Sequence, residues 1–238
     1  MKNKTLVIIP AHNEEKALPG VIRSIETFAP ECDILVVNDA SEDNTSQVAR
    51  KESSSSKITV IDIPFNLGIG GAMQTGFKYA RDNGYEVALQ IDGDGQHPAK
   101  FIKDLEKKIA SGKVDMVVGS RFMKELGFKG LFLRRMGIRY FSVLIRLLTG
   151  NRILDVTSGF RAFSKKAITV FSEYYPQDYP EVESLVVMKK KGLKVLEVPV
   201  TMKRRRHGVS TINFVDGIYY IIRVSLGTIV SSIRNYKN

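Results

Sequence analysis

The chain of 238 residues contains a single cysteine, Cys32, which rules out a disulfide within it and suits a reducing compartment or indifference to redox state. Cys32 therefore reads as a small buried residue. Long apolar runs are missing too: no stretch reaches the roughly 18 consecutive apolar residues of a membrane-spanning helix. Near the N-terminus, Pro10 cuts off Leu6-Val7-Ile8-Ile9 after four residues, too short for the core of a signal peptide. These absences predict a protein on the cytoplasmic side, in solution or lying on a membrane. Acidic residues are in deficit. Against 36 Lys and Arg stand 25 Asp and Glu, a net charge of +11 that implies an acidic partner: nucleic acid, anionic headgroups or phosphorylated substrates. A complete phosphate loop is absent as well. After Asn66-Leu67-Gly68-Ile69-Gly70-Gly71-Ala72, Met73 stands where a dinucleotide fingerprint needs its third glycine, and no Gly-Lys-Ser/Thr follows. These glycines read instead as tight helix packing that shapes a pocket.

What is present is a folded composition, 43% hydrophobic and 26% charged, in a length that suits one large α/β domain. Five short β-branched runs read as strands: Leu6 to Ile9, Ile34 to Val37, Ile58 to Ile61, Val87 to Ile91 and Met116 to Val118. Between them, apolar residues recur at helical spacing, as in Ala17-Val21-Ile25-Phe28 and Phe101-Leu105-Ile109. Such alternation predicts a mostly parallel sheet flanked by helices, with ligands bound beyond the carboxyl ends of the strands.

The polar motifs fall at those ends. Gln90-Ile91-Asp92-Gly93-Asp94-Gly95-Gln96-His97-Pro98 follows an apolar run and sets two carboxylates and an amide at alternate positions. Oxygen ligands so gathered suit Mg²⁺ or Mn²⁺, which keeps waters and completes its shell with phosphate oxygens, so the implied ligand is a nucleotide diphosphate. The alternative is a polar turn whose Asp and Gly serve backbone geometry alone. Pro10-Ala11-His12-Asn13-Glu14-Glu15 ends the first strand and opens a helix, with Asn13 a candidate N-cap. Asp39, ending the second strand, can accept from a ribose or a base N–H, while Asp43 or Asn44 caps the next helix.

In this order, Pro10 to Glu14, Asp39, Asp92-x-Asp94-x-Gln96-His97-Pro98, Gly119-Ser120-Arg121-Phe122, Thr157-Ser158-Gly159-Phe160-Arg161 and Arg205-x-x-Gly208-x-Ser210 resemble family 2 glycosyltransferases. The likeness runs from about Leu6 to Ser210 and points to the dolichyl-phosphate mannose synthase-like branch, which moves a sugar from a nucleotide donor to a polyprenyl phosphate. It implies the GT-A fold, and it carries roles to individual positions. Pro10, His12 and Glu14 match the base and ribose pocket, and Asp39 the acidic residue that reads base or ribose; Asp92, Asp94 and Gln96 match the metal and diphosphate loop. Arg121 and Arg205 match basic residues near the phosphates, and Arg134 the one for the acceptor phosphate. The chain departs from the family at His12, where tyrosine is usual, at Asn38, which replaces the first of two aspartates, and at Thr211, in place of a lysine.

In such a transfer the diphosphate leaves with added negative charge. A metal at Asp94 and Gln96, with Arg205 closing over it, would stabilise that leaving group. A phosphate acceptor is already an anion and needs cationic guidance from Arg121, Arg134 and Arg135 more than a carboxylate base, and one in-line displacement predicts inversion at the anomeric carbon. Residues 131 to 148 combine large apolar side chains with four arginines, and the tail from Ile212 to Ile233 is similarly apolar, so both read as interfacial helices. The expected division is a catalytic domain over 1–211 and a membrane-interface or oligomerisation helix over 212–238. A membrane anchor or flippase supplied as a separate protein, and self-association, fit this reading; nucleic acid does not, since the acidic loop would repel it. The competing readings are a family 2 transferase acting on a glycan or protein hydroxyl, and a non-enzymatic basic protein that binds nucleic acid or a membrane surface.

Overall fold

The computed structural model describes residues 4–52, 57–123, 132–202 and 214–236, without the side chains of 132–134 and 214–218. In chain order the strands are β1 (Thr5–Ala11), β2 (Asp33–Asp39), β3 (Ile58–Ile63), β4 (Val87–Gln90), β5 (Met116–Ser120), β6 (Arg161–Ser164) and β7 (Val195–Pro199). The helices are α1 (Leu18–Phe28), α2 (Thr45–Glu52), α3 (Gly68–Asp82), α4 (Ile102–Ala110), α5 (Phe132–Thr149), α6 (Lys165–Glu173), α7 (Pro180–Lys190) and α8 (Phe214–Ile233).

The strands form one sheet in the order β3-β2-β1-β4-β6-β5-β7. Strand residues alternate between its faces. Leu6 and Ile8 of β1 therefore join Phe77, Phe163, Phe171 and Val187 in one core layer, while Val7 and Ile9 join Val21, Ile25, Leu105 and Ile109 in the other. The periodicity read from α1 and α4 is the face they bury, except that Phe28 ends α1 on the exposed side.

Each of the five strands expected from sequence is present, β7 adds a parallel edge beside β5, and β6 is inserted between β4 and β5. It runs antiparallel to both neighbours, with Arg161 opposite Gln90 of β4 and Val118 of β5. Four residues inside a polar motif offer little periodicity to read, so the hydrogen bonds of β4 and β5 define this strand. Its reversal has a consequence for the site: β6 begins where the parallel strands end, so the turn before it faces the loops that follow β1 and β4.

The glycines of α3 allow close packing. A Cβ at Gly76 would lie 2.5 Å from Ile8 Cγ2, and one at Gly70 would lie 2.2 Å from the Gln177 carbonyl oxygen, which accepts the Gly70 N–H at 3.1 Å. The C-terminal α8 packs on α5 and α7: Val224 is buried in the first core layer, and Ser231 donates to Glu183 Oε1 at 2.7 Å.

Candidate active site

The carboxyl ends of β1, β2 and β4 enclose a cavity of about 350 Å³ lined by Pro10, Ala11, His12, Glu14, Asp39, Asn66, Gly68, Ile69, Ala72, Asp92, Gly93 and Asp94. Every nucleotide-sugar residue expected from sequence except Arg205 lies in that wall. Arg205 lies outside the described residues, as do Gly208, Ser210 and Thr211.

The segment after β1 is a loop, not the start of a helix. Asn13 adopts φ 57°, a left-handed conformation that asparagine tolerates, and its Oδ1 accepts the Glu42 N–H at 2.9 Å. Asn13 is therefore no helix cap; α1 begins only at Leu18, where Pro19 supplies the preset φ of a first turn. Asp43 does cap α2, accepting the Thr45 N–H at 2.9 Å.

His12 and Asp39 form one wall of the cavity. His12 Nδ1 lies 2.7 Å from the Asp39 carbonyl oxygen; a carbonyl only accepts, so Nδ1 carries the proton. Nε2 then accepts from Asn13 Nδ2 at 3.1 Å. The buried Asp39 carboxylate takes the Leu67 N–H on Oδ1 at 2.8 Å, which ties the loop before α3 to the end of β2. Asn38 turns the other way, donating to Asp62 Oδ1 at 2.8 Å, so Asp39 alone represents this pair in the cavity.

On the opposite wall the loop after β4 presents Asp92 and Asp94. Asp94 Oδ1 accepts the Gln96 N–H at 2.9 Å. Asp92 is held from several directions: Gln90 Nε2 donates to its Oδ1 at 3.1 Å, and its own N–H donates to His97 Nδ1 at 3.1 Å. That bond leaves the His97 proton on Nε2, 3.6 Å from Asp92 Oδ2. The imidazole stacks on Phe160 with ring centroids 5.3 Å apart. Asp94 also borders a smaller cavity of about 170 Å³ with Lys16, Gly95 and His97; the Gln96 side chain lines neither one.

The motifs at 119–122 and 157–161 meet behind this loop. Ser158 Oγ donates to the Gly119 carbonyl at 2.6 Å, and the Gly119 N–H donates to the Phe160 carbonyl at 2.8 Å. Arg121 forks onto Asp155, with Nε and Nη2 each 2.7 Å from a carboxylate oxygen, and Nη2 also reaches Thr157 Oγ1 at 3.0 Å. The expectation of a phosphate contact therefore meets a competing partner: the guanidinium edge that would grip a phosphate is spent on a fully buried carboxylate. Arg135 is exposed on α5, away from the cavity wall, and the Arg134 side chain lies outside the described residues.

Two further charged groups, Arg161 and Glu181, adjoin the turn before β6. Arg161 is completely buried and donates to the carbonyls of Ser158, Val156 and Glu181 and to Ser184 Oγ. Burial lowers its hold on the proton, while Tyr175 and Glu181 raise it. Burial pushes the Glu181 carboxyl above its ordinary value and Arg161 opposes the shift. Asn66 lines the cavity within the stretch read as shaping it, whereas sequence reasoning missed the roles of Gln90 and of Glu197, which accepts the N–H groups of Leu154 and Asp155 and so supports the Arg121 pair. The one legible signal was Gln90, a lone amide ending an apolar strand.

The glycosyl transferase family 2 profile matches residues 6–171. The UDP-N-acetylglucosamine–dolichyl-phosphate N-acetylglucosaminyltransferase of Methanococcus voltae is 33% identical over 210 residues, which cover 82% of this chain and 83% of that protein. The polyprenol monophosphomannose synthase of Mycolicibacterium smegmatis is 29% identical over 213 residues, 87% of this chain and 80% of that one. Among solved structures, glucosyl-3-phosphoglycerate synthase from Mycobacterium tuberculosis with Mn²⁺, UDP and phosphoglyceric acid superposes with a TM-score of 0.72 at 18% identity, over 99% of this chain and 80% of that one. The fold is thus GT-A, and the chain belongs to glycosyl transferase family 2.

Proposed function

We propose that this glycosyltransferase moves a sugar from a nucleotide-diphosphate donor in the cavity to a polyprenyl phosphate, and that a divalent cation serves the donor. One observation carries the donor part. The cavity is lined by Glu14, Asp39, Asp92 and Asp94 and, among the described residues, by no Lys or Arg. Four carboxylates repel a diphosphate unless a cation intervenes.

The donor set fits Mg²⁺ or Mn²⁺. No group of three or more His, Cys, Asp and Glu side chains among the described residues could hold a metal alone, whereas these cations need only one or two carboxylates when phosphate and water complete the shell. Asp94 and Asp92 would hold it, with Gln96 within the same loop. When bound, the cation neutralises charge on the departing diphosphate. The chain's own residues orient the donor: the Asp39 carboxylate accepts from the nucleoside, and the His12 ring packs beside it.

The acceptor part rests on the names of the relatives, which include transferases to dolichyl, polyprenol and undecaprenyl phosphates, and on two helices. An acceptor phosphate attacks as an anion, so inversion by in-line displacement needs no protein base. Arg135 and Arg134 at the start of α5, and Arg205, supply its cationic guidance; Arg121 supports the 155–160 loop and helps indirectly. Both α5 and α8 expose apolar stripes at helical spacing, Met136, Tyr140, Val143 and Leu147 on one, Tyr219, Ile222, Leu226 and Ile233 on the other. Tyr140 OH meets Ser225 Oγ at 3.0 Å, so the stripes adjoin. Exposed Arg135, Arg139, Arg146 and Arg223 accompany them, the composition of a surface that sits on anionic lipid. No helix among the described residues is long and apolar enough to cross a membrane.

The test is incubation with labelled nucleotide sugars and polyprenyl phosphate, with and without Mg²⁺ or Mn²⁺. Label is expected in the organic phase with one donor and a metal, and Asp94→Ala should abolish it. Folded protein that transfers no label from any donor would sink the proposal.

A further inference from the structure

Gln90 is an anomaly in the core. It is 1% exposed at the end of β4, between apolar layers, and its Oε1 is buried with no hydrogen-bond partner. A buried acceptor left unpaired destabilises a fold by about 1–3 kcal/mol, and a methionine of similar shape would avoid that cost. The amide cannot be turned around to relieve it. Its Nε2 faces Asp92 Oδ1 at 3.1 Å, and the reverse orientation would set a carbonyl oxygen against a carboxylate that only accepts.

The surroundings hold this geometry. A Cβ at Gly159 would lie 3.0 Å from Gln90 Nε2 and 3.2 Å from Asp92 Oδ2, so only glycine lets the turn before β6 press on both groups. The antiparallel register sets Gln90 opposite Arg161, whose buried guanidinium makes the four bonds described above, each to a neutral oxygen. From the far side His97 takes the Asp92 N–H. The hydroxyl of Tyr175, 1% exposed, is a second buried polar group without a partner among the described residues, and it lies within the electrostatic reach of Arg161 and Asp92.

We propose that Gln90 is a positioning residue: its amide fixes the Asp92 carboxylate in the orientation that receives the divalent cation, and its unpaired oxygen is the stability sacrificed for that placement. The inference rests on the reading of Asp92 as part of the cation loop. Groups that orient a metal ligand typically change metal affinity by about 10- to 100-fold when removed. A merely structural glutamine would behave in the opposite way, since stability and binding would fall together.

The experiment measures Mn²⁺ binding by electron paramagnetic resonance, with UDP or GDP, whichever the wild type binds more tightly, alongside metal-free thermal melting. Gln90→Met should melt no lower than the wild type and bind Mn²⁺ about 10- to 100-fold more weakly. Gly159→Ala, which displaces the same pair, should weaken Mn²⁺ binding as well. Binding by Gln90→Met within about twofold of the wild type, or a lower melting temperature in that variant, overturns the role of Gln90 while leaving the cation loop intact. Failure of the wild type itself to bind Mn²⁺ with either nucleotide removes the cation loop and this proposal with it.

Discussion

Cys32 shows how far a single residue can be read from sequence. As the sole cysteine it was expected to be a small buried residue, and it is 2% exposed in the second core layer. Burial, followed by the charges of Glu106, Glu31 and Asp33, pushes its thiol up to about 12. At pH 8 the thiolate, the reactive form, is then about one part in ten thousand. A thiol reagent such as Ellman's should therefore label the native protein far more slowly than protein in denaturant; equal rates would contradict this burial. The same scale holds what sequence could not decide. Asp39, Asp92 and Asp94 carry their own chemistry, so their types and loop positions suggested a site. Arg121 looked equally functional, yet its role depends on Asp155, 34 residues away, whose approach no local pattern announces.

Among the elements, α3 bears out the reading of its glycines as packing positions. Its run resembles a phosphate loop, but Gly70 and Gly76 are spaced to meet Gln177 and Ile8. Gly70→Ala would drive a Cβ into a carbonyl that the Gly70 N–H also needs. Overpacking of this kind costs about 1–3 kcal/mol, more than the roughly 1 kcal/mol an alanine gains in helix propensity. Denaturant unfolding should report a net loss of stability, and a gain would show that the 176–177 loop moves aside at no cost. Strand β6 is the complementary case. Its four residues have no pattern of their own, and their reversed direction is settled by pairing with β4 and β5.

Across the whole molecule, the +11 charge and the apolar stripes of α5 and α8 address the same question of where the protein works. Leu147 and Leu226, 79% and 59% exposed, have little part in the core. Leu147→Glu with Leu226→Glu should leave the melting temperature nearly unchanged while abolishing co-flotation with vesicles rich in anionic lipid. Wild-type flotation should weaken as salt rises, because each basic residue near such a surface contributes about 1 kcal/mol that ions screen. A double variant that still floats would point the stripes toward a protein partner, a second copy included.

The sequence by itself determined the alternation of strands and helices, the two-faced core, and the acidic loop at 92–96, because each depends on residue type and short-range spacing. Tertiary structure alone decided the direction of β6, the commitment of Arg121 to Asp155, and the placement of Gln90 and Gly159 against Asp92. Those contacts join segments tens of residues apart, and their energies depend on burial and on which hydrogen-bond partner arrives, quantities that exist only once the chain has packed.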